Sequence, residues 1–136
     1  DFSRRAGYDV VGRDGLKLRD KWADGVRTLH GVFVHGFPNL MLMSNSQAAA
    51  TTNFPHAMDE AARHMVYVID RCRKEQIATV EATREAEDAW VEEIISVSRF
   101  NEDFLVSCTP GYYNNEGQPN RRSIQNGSYG KGPNPY

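Results

Sequence analysis

The stretch from Val32 to Glu60, VFVHGFPNLMLMSNSQAAATTNFPHAMDE, constrains the fold of this chain more than any other. An apolar run ends at Gly36-Phe37-Pro38, and a second, Leu40 to Met43, leads into a loop of small and polar residues. That loop opens a long amphipathic helix near Pro55. The first turn of a helix carries unpaired N–H groups and a partial positive charge. A strand, a polar loop and a helix N-terminus are therefore the arrangement with which α/β folds hold polar or anionic ligands. The fold class expected is α/β, or α+β for the piece taken by itself.

Elsewhere the pattern is plainer. Tyr8 to Val11 and Leu16 to Leu18 read as a short hairpin about Gly12-Arg13-Asp14-Gly15. Asp20 to Gly25 is a helical turn or loop carrying Trp22, Thr28 to Val34 a strand, and Leu40 to Met43 a buried strand. The spacing predicts a helix from about Pro55 to Glu75. Proline suits its first turn, and Arg71, Arg73 and Lys74 suit its negative end. Met58, Ala61, Ala62, Met65, Ile69 and Cys72 form its apolar stripe. Ile77 to Val80 is a short extended piece. A second helix runs from about Thr83, its N-cap, to Arg99, burying Ala86, Trp90, Ile94 and Val97.

The 136 residues fit one domain by length. A net charge of −2 offers neither a nucleic-acid surface nor a polybasic membrane patch. No apolar run approaches the roughly 20 residues that span a bilayer, no signal peptide is seen, and Cys72 and Cys108 make no disulfide framework. The expected setting is soluble, reducing and cytoplasmic. The chain begins at Asp1 without a methionine and ends at Tyr136, so both ends read as cut from a longer protein. From Pro110 onward it is poor in apolar residues, and order there is expected only against a neighbour.

Most chemical groupings have a structural explanation. His30, His35, His56 and His64 lack the spacing of metal ligands, so no metal site is expected. Glu81, Glu85, Glu87, Asp88, Glu92 and Glu93 read as the wet face of the second helix. Cys72 belongs to the apolar stripe, and Cys108 has no base beside it in sequence to make a thiolate. No GxGxxG or GxxxxGK[ST] phosphate loop occurs. The tyrosines at 112, 113, 129 and 136 suit a packed loop better than a nucleic-acid stacking tail. What remains is Ser44 to Phe54, which supplies hydroxyl and amide groups at a helix N-terminus. It serves equally as a ligand-facing loop, able to hold a flavin's carbonyl edge, a carboxylate or a phosphate, or as a connection with a helix cap.

These residues lead to a resemblance. YDVVGRDGLKLRDKWADGVRTLHGVFVHGFPNLMLMSNSQ, with its GR-x-G, its Leu18, Asp20 and Trp22, Gly31 and the Gly36-Phe37-Pro38-Asn39-Leu40 turn, resembles part of the flavin-dependent Baeyer–Villiger monooxygenases. A helix with Glu60 near its start, then VEATREAEDAW and SCTPGYYNNEGQPN, continue the likeness in order and almost end to end. The form CTPGYYNNEG looks most like the branch acting on 4-hydroxyacetophenone-type aryl ketones or on large cyclic ketones.

The resemblance implies the C-terminal part of a flavoprotein with two dinucleotide-binding domains. Residues 1–100 would be the C-terminal segment of the FAD-binding domain, and 101–136 a loop-rich extension packing on the cofactor domains. Implied partners are FAD, NADP, a ketone, O2 and the N-terminal domains of the same protein, with neither nucleic acid nor membrane. By this likeness Asn45, Ser46, Gln47, Thr52 and Asn53 lie at the flavin edge, and Thr52, Phe54 and Cys108 border the ketone pocket, with Cys108 also on the NADP side. Many members have Gly-Pro where this chain has Asn45-Ser46, and Trp where it has Cys108. The catalytic arginine, the FxGxxxHTxxW fingerprint and both GxGxxG loops would lie upstream, so the chain alone would be catalytically silent. The alternatives are a non-catalytic interaction domain derived from a flavoprotein, or a flavin monooxygenase acting on sulfur or nitrogen.

Overall fold

The computed structural model describes residues 6–44, 46–48, 53–96, 102–111, 114, 116–118 and 125. Its helices are α1 (Leu18–Lys21), α2 (Phe54–Lys74), α3 (Arg84–Ser96) and α4 (Glu102–Ser107). The expected α+β character survives in reduced form. Strand pairing among the described residues consists of isolated antiparallel bridges, Val11 with Lys17, Leu29 with Phe33 and Phe33 with Met41.

The two long helices form where capping and periodicity place them. Asn53 caps α2 by accepting the His56 N–H at 3.2 Å, and Pro55 sits in the first turn. Thr83 caps α3 by accepting the Ala86 N–H at 3.2 Å. Capping oxygens satisfy donors that the helix cannot. One face of α2 differs from expectation: Met65 and Val68 pack on the cluster of Val32, Phe33 and Ala82, whereas Ile69 is exposed. Residues 61, 65 and 68 point inward together, and the step to 69 carries the side chain off that face. Val97 and the last turn expected of α3 lie outside the described residues.

The expected strands are the larger correction. Thr28 to Val34 folds back on itself, because His30 and Gly31 take φ of 56° and 74°. Leu29 then donates to the Phe33 carbonyl at 2.8 Å, and Leu42 donates to Val32 at 2.8 Å. Two consecutive left-handed residues close a turn, and an extended strand cannot pass through them. The hairpin at Gly12 to Gly15 keeps a single bridge, and Leu18 starts α1 instead of extending a strand.

Two packed clusters hold these pieces. Leu18, Trp22, Val26, Val34 and Phe37 form the first, with Val10, Leu40 and Leu42 against it. The second joins the 29–33 turn to α2 through Met65 and Val68. Asn39, at φ 60°, clamps the segment before α3: its N–H reaches Val80 O at 2.9 Å, and its side chain bonds Val80 N at 3.0 Å and Ala78 O at 3.1 Å.

Charge ties α3 to the first cluster. Glu87 is only 1% exposed, where a wet face was expected. Its carboxylate accepts from Lys21 Nζ at 2.8 Å and from the His35 N–H at 2.8 Å. Glu81 likewise accepts from Arg13 Nε at 2.9 Å and the Gly36 N–H at 3.2 Å. A carboxylate enters a protein interior when such partners replace its water. Among the described residues no helix is long and apolar enough to cross a membrane.

Ile94, with no exposed surface, and Ile69, at 48%, test this packing with one residue type. Ile94→Ala should cost about 2–5 kcal/mol in urea unfolding, and Ile69→Ala about 0.5 kcal/mol or less. Equal costs would contradict the orientation of α2 and α3.

Candidate functional site

Residues 46–48 are seated on the 26–31 turn, and Asn53 opens α2. Ser44 Oγ accepts the Ser46 N–H at 2.9 Å. Gly31 lets the loop approach: a Cβ there would meet the Ser46 carbonyl at 3.0 Å and Ala48 Cβ at 2.9 Å. Gln47 then turns inward with φ 59° and no exposed surface.

Both polar atoms of the Gln47 side chain are bonded inside the protein. Its Nε2 donates to the Val26 carbonyl at 2.5 Å. Its Oε1 accepts the Thr28 N–H at 2.8 Å and the Thr28 hydroxyl at 2.9 Å. A backbone carbonyl can only accept and a backbone N–H can only donate, so these partners fix which way the amide points. From the other side, Trp90 Nε1 of α3 donates to the Gln47 carbonyl at 2.9 Å. Thr28 Oγ1 also accepts the Gly31 N–H at 3.1 Å, which stiffens the turn beneath.

Of the residues expected at the flavin edge, Ser46 and Gln47 are therefore together on this seat. Asn53 is exposed and caps α2, and Phe54 beside it is 47% exposed. Asn45 and Thr52 lie outside the described residues. Cys108 is half-buried after α4, in a loop knitted by Asn114. Asn114 donates to the Cys108 and Thr109 carbonyls at 3.3 and 3.1 Å, and accepts the Gly111 and Gly117 N–H groups at 2.8 and 3.1 Å. Thr28, Trp90, Asn114 and Glu87 are the structural partners that sequence reasoning missed. Only the Asn-Gly content around Asn114 signalled a side-chain-stabilised turn.

The site offers donors and a dipole. The α2 N-terminus and the polar groups of Ser46 and Asn53 suit an electron-rich, hydrogen-bond-accepting edge. Among the described residues no group of three or more His, Cys, Asp or Glu is placed to hold a metal ion. A separate groove of about 480 Å³ runs between Val10–Arg13 and Phe37–Leu40, and none of the expected site residues lines it.

His30 adds a titrating group to the seat. Its ring meets Trp90 edge to face with centroids 4.6 Å apart. Burial lowers its pKa below the ordinary 6.5, His64 of α2 lowers it further, and Glu93 of α3 works the other way. The unfolded chain therefore takes up this proton first, so the stability is present above about 6.5 and drains as pH falls below it. His30→Asn keeps a residue that tolerates the left-handed φ and removes the titration. Melting temperature should drop less steeply for this variant than for the parent chain between about pH 7.5 and about pH 5.5. Parallel curves would exclude His30 as the cause.

No protein-family model matches the chain. It is 47% identical over 131 residues to the pentalenolactone D synthase of Streptomyces exfoliatus, covering 96% of this chain and 22% of that protein. It is 36% identical over 129 residues to a Baeyer–Villiger monooxygenase of Stachybotrys chlorohalonatus, covering 95% of the chain and 21% of the relative. Among solved structures, the polycyclic ketone monooxygenase of Thermothelomyces thermophila superposes with a TM-score of 0.68 at 36% identity, over 93% of this chain and 20% of that one. A structure described as OTEMO in complex with FAD and NADP superposes with a TM-score of 0.60 at 25% identity, over 68% of this chain and 18% of that one. In sequence and in fold the chain belongs to the Baeyer–Villiger monooxygenase family, as a segment spanning about a fifth of the length of the relatives it matches (22% and 21%).

Proposed function

We propose that this chain is the C-terminal part of an NADPH- and FAD-dependent monooxygenase that inserts oxygen next to a ketone carbonyl, giving an ester or lactone. The observation that carries the reading is the 47% identity over 96% of the chain to a pentalenolactone D synthase. One oxygen atom of O2 enters the C–C bond beside the carbonyl, the other leaves as water, and NADPH supplies the hydride. The flavin supplies the oxygen activation and the protein supplies binding and orientation.

In this reading residues 1–100 close the FAD-binding domain and 101–136 form an extension against the cofactor domains. Asn45, Ser46, Gln47, Thr52 and Asn53 form the wall at the flavin edge, with Thr52, Phe54 and Cys108 bordering the ketone. Gln47 serves by fixing the course of the loop, since its carboxamide is bonded to Val26 and Thr28. Ser46, Asn53 and the first N–H groups of α2 match the carbonyl edge of an isoalloxazine, which accepts hydrogen bonds. The remaining walls, the catalytic groups and both dinucleotide loops belong to N-terminal domains of the same protein. A cytoplasmic location follows, where NADPH is available.

Two measurements test this. The isolated chain, titrated with FAD, should show no tight binding, and micromolar or better affinity would contradict the division of the site between segments. The full-length protein should purify with flavin and convert a cyclic or aryl ketone to its ester or lactone with NADPH and O2. A full-length protein that holds no flavin would overturn the reading.

A further inference from the structure

Gln125 is 4% exposed, although the sequence around it is polar. Its Nε2 donates to the Val26 carbonyl at 2.6 Å, across 99 residues of sequence. The same carbonyl accepts Nε2 of Gln47. One backbone oxygen thus receives both carboxamides, one on each of its lone pairs. Gly25 provides the space: a Cβ there would meet Gln125 Cδ at 2.8 Å and Nε2 at 3.0 Å. With φ at 130°, that position suits glycine for a second reason.

We propose that Gln125 is a positioning residue for Gln47 and its neighbours at 46–48, acting through the Val26 carbonyl that it shares with Gln47. Buried amides on a common acceptor are held by the same backbone position. Removing Gln125 takes away one of the two amides on the Val26 carbonyl and loosens the hold on the 25–28 backbone. Gln47 follows, since its three side-chain bonds all end on Val26 and Thr28. Residues 46–48 then lose their fixed seat against the 26–28 backbone. The link to cofactor rests on the functional reading above, while the link from Gln125 to Gln47 rests on geometry alone.

The two links are tested separately. Trp90 Nε1 donates to the Gln47 carbonyl, so exchange of its indole proton reports the loop's seat without any flavin. In the 136-residue chain, Gln125→Ala should accelerate this exchange about five- to tenfold, the loss of one net hydrogen bond. Gln125→Glu keeps the shape but cannot donate as a carboxylate, so it should match Gln125→Ala. Gly25→Ala, which crowds Gln125, should move in the same direction. If Gln125→Glu behaves like the parent chain, the residue is only a filler and the proposal falls. In the full-length enzyme Gln125→Ala should weaken FAD binding about tenfold, with melting temperature lowered by no more than the loss of one hydrogen bond. Gln47→Ala combined with Gln125→Ala should be no worse than Gln47→Ala alone. Additive losses would overturn the shared-carbonyl coupling. A full-length protein without flavin would overturn the functional reading and leave the exchange result to decide the coupling.

Discussion

The seat of the loop depends on one buried carboxamide. Gln47 places a polar side chain where no water reaches, and each polar atom meets a backbone or hydroxyl partner. An internal hydrogen bond is worth only about 0.5–1.5 kcal/mol net, but leaving such a group unpaired costs about 1–3 kcal/mol. That asymmetry makes Gln47 a specifier of geometry. A shift of Gln47 out of this position leaves its buried amide and the Thr28 N–H without these bonds. Trp90 extends the same logic to α3, since its indole N–H must find an acceptor once the ring is buried.

Around this seat, carboxylates do what hydrophobic contact alone does not. Glu87 and Glu81 reach from the start of α3 and the segment before it to backbone N–H groups of His35 and Gly36. Lys21 and Arg13 complete each carboxylate. Apolar clusters tolerate sliding, whereas a carboxylate aimed at one N–H does not. These links set α3, and hence Trp90, at a defined height against the 26–37 segment.

The sequence revealed those parts whose signals are local. Pro55 and the apolar period, then the cap Thr83, announced both long helices, because such signals need only neighbours in sequence. The strand expected over Thr28 to Val34 failed because β-branched and apolar residues dominated the pattern, while Gly31 and the left-handed His30 decided the backbone. Glu87 was read as solvated because its partners lie 52 and 66 positions away in sequence. Gln125 was hidden for the same reason. Residues whose role comes from a distant partner leave no period behind. The loop itself was legible as a polar segment, but its inward-turned Gln47 was not.

The two ends of that loop are held very differently, and this bears on how the site works. At Gln47 the chain is locked by bonds on every side. At Asn53 to His56 it is exposed, with α2 docked further along by Ala61, Met65 and Val68. The ion pairs on the outer face of α2, such as Arg63 with Asp59 and Lys74 with Asp70, are solvent-exposed and add little. The helix N-terminus is thus held from the body of α2, while Gln47 is held by its own bonds to Val26 and Thr28. A change beneath Val26 acts on the Gln47 seat, and a change in the exposed first turn of α2 leaves that seat in place.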